Sequence, residues 1–133
     1  MIFSGVFERH PKLRVGTVEY ELGWIPSFLE RMDYTYTQGI RRKEWMRFKG
    51  ETIPSDFFRR NGFCSFQQDV AGLRDRGTIG LNALMWGSDY PHFESTFPRS
   101  RTVLEHMFQG VSDEDTARAL GGNAAQLYQI DAA

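Results

Sequence analysis

The stretch Leu81-Asn82-Ala83-Leu84-Met85-Trp86 sets the terms on which this chain can fold. Apart from Asn82 it is apolar throughout, so a strand there has to be covered on both faces, as in the parallel sheets of α/β proteins. Two further segments are predicted as strands. Leu13-Arg14-Val15-Gly16-Thr17-Val18 alternates and carries β-branched residues, and Phe63-Cys64-Ser65-Phe66 is short and mostly apolar. Helical patterns lie around them. Gly5 to Arg9 reads as a helix end closed by His10-Pro11, because the residue before proline disfavours helical geometry. Gly23-Trp24-Ile25-Pro26 opens a helix on which Phe28, Leu29, Met32 and Tyr36 share a face. Residues 37 to 53 are polar and basic and read as a loop with some helical content. Pro54 to Arg60 is a short helix stopped by Asn61-Gly62, Val70 to Arg76 another, and Pro98 to Gln109 a third. Ser112-Asp113-Glu114-Asp115 has the form of a capping box. The helix it starts is predicted to end at Gly121-Gly122, before a last short helix from Asn123 to near Tyr128.

This alternation of helices and strands predicts a parallel sheet with helical crossovers. Three such strands leave unpaired backbone on both outer edges. A full (β/α) barrel takes about 250 residues, and the 133 residues here are near half of that, so further chain or a partner copy is expected to cover the edges. Hydrophobic residues at 41% suffice for a packed core. Cys64 is the one cysteine, which rules out an internal disulfide. No apolar run reaches the roughly 20 residues that cross a bilayer, and Met1 to Phe7 is too short for a signal-peptide core. A cytoplasmic protein with no membrane partner is the expectation. Sixteen basic and seventeen acidic residues give a formal net charge of −1, which offers nucleic acid no attraction. The basic, aromatic run Arg41 to Lys49 accordingly reads as a solvated surface loop.

The segment richest in chemistry is Trp86-Gly87-Ser88-Asp89-Tyr90-Pro91-His92, where a buried strand runs directly into Gly-Ser-Asp, a proline turn and a histidine. In a barrel the C-terminal strand ends face the active site. An aspartate there is either a hard oxygen ligand for a divalent metal, or the holder of a metal-bound water's proton, or a cap that satisfies the turn's own amides. Asp69 reads as a helix N-cap, with Gln67 and Gln68 as rim residues within reach of a substrate. Cys64 reads as core rather than nucleophile, and Trp24, Phe28, Phe57 and Phe58 as core or subunit interface. No Ser-His-Asp spacing and no glycine-rich phosphate loop is present.

Trp86 to His92 resembles the strand-eight signature of the amidohydrolase-related proteins, the group that includes the aminocarboxymuconate-semialdehyde decarboxylase-like enzymes. Gly5-Val6-Phe7-Glu8-Arg9-His10-Pro11-Lys12-Leu13 resembles that family's helix leading into strand six. Gly23-Trp24-Ile25-Pro26 and Leu29-Glu30-Arg31-Met32-Asp33 resemble the following helix, and Gly121-Gly122-Asn123-Ala124-Ala125 is similar to its closing motif. The resemblance implies one partial domain over residues 1–133, the C-terminal part of a TIM (β/α)8 barrel comprising about strands six to eight. It further implies a metal-dependent hydrolase or decarboxylase that acts on a small carboxylated or amide-bearing molecule as part of a fuller barrel. Carried over by position, Asp89 is a metal ligand for a divalent ion, zinc being the expected one. Glu19, at the strand-six end where several members place a histidine, and His92 join it as catalytic residues, with Trp86 and Tyr90 touching substrate. The family's His-x-His pair and strand-five histidine have no counterpart among His10, His92 and His106. The competing expectation is therefore a non-catalytic barrel fragment, which folds as a homo-oligomer or complements a separate N-terminal half-barrel.

Overall fold

Three short parallel strands form the sheet in the computed structural model, which describes residues 1–39 and 48–130. They lie in sequence order: β1 (Val15–Thr17), β2 (Gly62–Phe66) and β3 (Leu84–Trp86). Thr17 pairs with Cys64 and Cys64 with Leu84, while Phe66 pairs with Trp86. Side chains alternate between faces along a strand, so this register puts Thr17, Cys64, Phe66, Leu84 and Trp86 on one face. Gly16, Phe63, Ser65 and Met85 lie on the other. The second face is close-packed at β1, since a Cβ on Gly16 would meet the Phe63 ring at 2.1 Å.

Helices cover the first face. A four-residue turn of helix, α1 (Val6–Arg9), precedes β1, and α2 (Ile25–Gly39) and α3 (Pro54–Asn61) separate β1 from β2. Leu22, Ile25, Leu29 and Met32 follow helical spacing and pack with Cys64, Phe66 and Leu84 in the main core. Each fully buried side chain of this size contributes about 1.5–3 kcal/mol. Asp33 joins α2 to the first turn of α3, its Oδ1 accepting from the Ser55 amide at 2.8 Å. Phe48 stacks on Tyr36 and meets Phe57 edge-on, forming a second, smaller core with Phe7. The expected loop over 37 to 53 is thus helical as far as Gly39. Most of the basic run from Arg41 falls outside the described residues.

Several boundaries differ from the sequence expectation: the first strand is confined to Val15–Thr17 and the helix read over Pro98 to Gln109 to Ser100–Met107. The helix read over Val70 to Arg76 divides at Asp75 into α4 (Val70–Arg74) and α5 (Arg76–Ile79). The strand read over Leu81 to Trp86 begins only at Leu84, because Leu81–Ala83 forms a 3-10 turn after Gly80, whose φ is 105°. The cause lies downstream. The Asn123 amide is buried and donates to the carbonyls of Leu81 and Leu84, both at 2.7 Å, which ties off the entry to the strand. The Gly121-Gly122 pair does not end a helix. After α6 (Ser100–Met107), α7 (Asp113–Ala117) widens through a π-helical segment over Arg118–Gly122 and runs on into α8 (Asn123–Tyr128). Gly122 stays helical at φ −57°, ψ −43°. A π turn inserts one residue and shifts the face that follows, which accords with Asn123 reaching β3. Ser112 caps α7 as its sequence suggests, accepting from the Asp115 amide at 3.2 Å. No helix among the described residues is long and apolar enough to cross a membrane.

Candidate functional site

Parallel strands all leave the sheet at one edge, so the segments after Thr17, Phe66 and Trp86 are neighbours. Backbone strain concentrates there. Four non-glycine residues among those described have left-handed φ, and three of them are Glu19 (61°), Glu21 (53°) and Asp89 (59°). Such residues cost roughly 1 kcal/mol or more each and persist only where the surroundings hold them.

Those surroundings form a hydrogen-bonded chain across the edge. The Glu19 amide donates to Ser65 Oγ at 3.0 Å. The Glu21 carboxylate accepts from the amides of Gln67 and Gln68, each at 3.1 Å. The Asp69 carboxylate caps α4 by accepting from the Gly72 amide at 2.7 Å. Its other oxygen takes the amides of Leu22 and Gly23 at 2.7 and 2.6 Å. The loop after β1 is therefore held by two carboxylates, one within it and one from the loop after β2. Gly72 has to lack a side chain for this, since a Cβ would stand 2.3 Å from Leu22 Cβ.

Asp89 stands three residues past β3 with its side chain 29% exposed, and its Oδ2 lies 3.0 Å from His92 Nδ1. A tight loop holds the pair. The Ser88 carbonyl accepts from the Thr96 amide at 3.1 Å, Ser95 Oγ at 2.7 Å and Gln67 Nε2 at 3.3 Å, and the His92 amide donates to the Asp89 carbonyl at 2.8 Å. This loop also carries exposed aromatic side chains. Tyr90 packs edge-on to Phe97 with centroids 4.8 Å apart, and His92 lies 4.5 Å from Phe93.

The structure brings Glu19, Asp89, His92 and Tyr90 to one edge of the sheet, and places Trp86 elsewhere. Trp86 shares the face of Leu84, its Nε1 donates to the Gln67 carbonyl at 3.1 Å, and it lines a groove with Leu104 and Phe108 of α6. It braces the rim from the helix side and is half-buried. Cys64 is wholly buried, and burial pushes its thiol above the ordinary range, with the Thr17 hydroxyl a weaker influence downward. His10 closes α1, and His106 of α6 lines a cavity with Gln68, Ser95 and Thr96.

The donor set is not that of a complete metal centre. Among the described residues no three His, Cys, Asp or Glu side chains gather where a metal ion would fit. β1 and β3 are two strand spacings apart, about 10 Å. Gln67 stands at the rim, as its place straight after an apolar strand suggests; what the sequence does not show is that the Glu21 carboxylate holds the amides of Gln67 and Gln68 there.

Residues 1–130 match the family model described as amidohydrolase. No curated protein matches. Among solved structures, the chain is similar to 5-carboxyvanillate decarboxylase from Sphingomonas paucimobilis, with 28% identity and a TM-score of 0.79, over 98% of this chain and 38% of that one. It is also similar to a dihydroxybenzoic acid decarboxylase from Polaromonas sp. JS666 with bound manganese and the inhibitor 2-nitroresorcinol, at 20% identity and a TM-score of 0.75 over 99% and 38%. An amidohydrolase from Mycobacterium avium subsp. paratuberculosis K-10 matches at 24% identity and a TM-score of 0.75, over 96% and 31%. The chain thus spans well under half the length of these relatives.

Proposed function

This chain belongs to the amidohydrolase family, and from that premise we propose that it supplies strands six to eight of a (β/α)8 barrel and the Asp89 rim of a metal-dependent decarboxylase. The reaction class is loss or hydrolysis at a small carboxylated molecule, decarboxylation being favoured by the enzymes with which it shares its fold. The observation that carries the reading is the strain at the C-terminal strand edge, where Glu19 and Asp89 are both held in left-handed backbone. In (β/α) barrels that edge is where chemistry is done.

In this proposal Asp89 offers one carboxylate oxygen to a divalent ion, and His92 fixes its rotamer through the 3.0 Å contact. Manganese, which the Polaromonas relative holds, replaces zinc as the first ion to try. Glu19 faces the same rim as an acid or base, and Tyr90 forms an aromatic wall for the substrate. Further chain is proposed to supply the remaining metal donors, since no three candidate ligands gather among the described residues. Trp86 enters only as a brace behind the rim.

One observation favours the competing reading of an oligomeric fragment. Among the described residues no strand pairs with the outer edge of β1, and an apolar groove of about 500 Å³ is lined by Val15 and Thr17 of that strand with Met1, Ile2, Trp24 and Phe28. A chimera separates the two. This chain is joined to the N-terminal part of the Sphingomonas decarboxylase barrel, and release of carbon dioxide from an aromatic carboxylic acid is followed with manganese present. The proposal expects turnover that falls by ~100-fold or more in Asp89→Ala, at least the cost of losing a group that supports a metal site. A folded chimera whose turnover is unaffected by Asp89→Ala sinks the assignment.

A further inference from the structure

Gln67, read from sequence only as a rim residue within reach of a substrate, makes four hydrogen bonds that join separate segments of the rim. Its amide donates to Glu21 Oε2 at 3.1 Å, from the loop after β1. Its carbonyl accepts the Trp86 indole N–H at 3.1 Å, from the end of β3. Its side-chain Nε2 donates to the Ser88 carbonyl at 3.3 Å and the Glu94 carbonyl at 2.8 Å. Those two carbonyls lie on either side of the segment from Asp89 to Phe93. The orientation of the amide is fixed by its partners, because both are carbonyl oxygens and only the NH2 end can satisfy them.

We infer that Gln67 is a positioning residue for the Asp89–His92 pair: it staples the two sides of the loop together and ties them to the ends of β1 and β2. The inference rests on the reading of Asp89 as the rim's functional carboxylate, but not on any metal or turnover. The physical argument is one of local stability. Asp89 sits in a costly left-handed conformation, and a strained residue holds one geometry only when its neighbours over-determine it. The loop's own bonds meet at the Ser88 carbonyl, and Gln67 supplies the contacts that come from the sheet beneath. Without them the loop can breathe as a unit while the strands stay paired.

The test uses the 133-residue chain at pH 7 with Gln67→Glu and Gln67→Lys. Glutamate keeps the shape but only accepts, whereas lysine donates. Two signals are read by NMR: the His92 Nδ1 shift, which reports its hydrogen bond to Asp89, and exchange of the His92 and Thr96 amides against that of Gly87, which bonds across to Phe66. In Gln67→Glu the loop amides are expected to exchange ~10-fold faster and the His92 signal to lose its bonded shift, with Gly87 unchanged. Gln67→Lys is expected to restore most of both. Unchanged loop signals in Gln67→Glu, or Gly87 accelerated equally with the loop, overturn the inference. Loss of the Asp89 assignment in the chimera would leave these signals as they are, so the two failures are distinct.

Discussion

Removing the Asp69 carboxylate should loosen two loops at once. In Asp69→Ala the amides of Leu22, Gly23 and Gly72 lose acceptors that stand at 2.7, 2.6 and 2.7 Å. Hydrogen bonds to charged groups contribute about 1.5–3 kcal/mol each, and a helix cap about 1 kcal/mol. Gly23 is exposed, so water replaces part of what is lost there. The total comes to about 3–5 kcal/mol. Asp69→Asn separates this account from a plain capping role. An asparagine has one acceptor oxygen, so it can serve Gly72 or the Leu22–Gly23 pair but turns an NH2 group toward the other set. Its cost should fall between wild type and alanine, about 2–3 kcal/mol. Urea unfolding followed by circular dichroism measures both. With a slope of about 1–3 kcal/mol per molar urea, the alanine midpoint should drop by about 2 M. An alanine midpoint within about 0.3 M of wild type would refute the double clamp, and so would an asparagine variant as stable as the wild type.

Two other positions give sharp expectations. Asn123→Ala leaves the carbonyls of Leu81 and Leu84 without their donor and should cost about 2–4 kcal/mol in the same urea assay; Asn123→Asp, which can only accept, should do no better. The buried Cys64 thiol is held above its ordinary value of 9.0, so the native state keeps a proton that the unfolded chain loses. Stability should therefore decline from about pH 9 upward, less steeply in Cys64→Ala, and alkylation of native Cys64 at pH 8 should be far slower than in urea.

What could be read from sequence followed from local rules. Asp69 and Ser112 cap helices because both oxygens reach amides three residues on, a relation visible in any short window. The second use of Asp69, on Leu22 and Gly23, spans 46 or more residues and leaves no local trace. Trp86 shows another limit. An apolar strand covered on both sides gives no alternation to say which face a residue takes, and only the register with Phe66 turns the indole toward the helices. The two glycines at 121 and 122 carried a stop signal that tertiary packing overrode, since the helix had to continue for Asn123 to reach β3. The placement of Asp89 beside His92 just past β3 was legible because both lie in one contiguous segment. The network around Gln67, which joins three chain segments, was not.

The proposed decarboxylase site draws one metal-binding carboxylate, Asp89, from residues 1–133 and its other donors from further chain. Manganese content per chain, measured after purification without chelators and again after manganese loading and desalting, tests it most directly. The account predicts no retained stoichiometric metal in residues 1–133 alone, and retained metal in the chimera that disappears with Asp89→Ala. Near-stoichiometric metal retained by the chain on its own would contradict it.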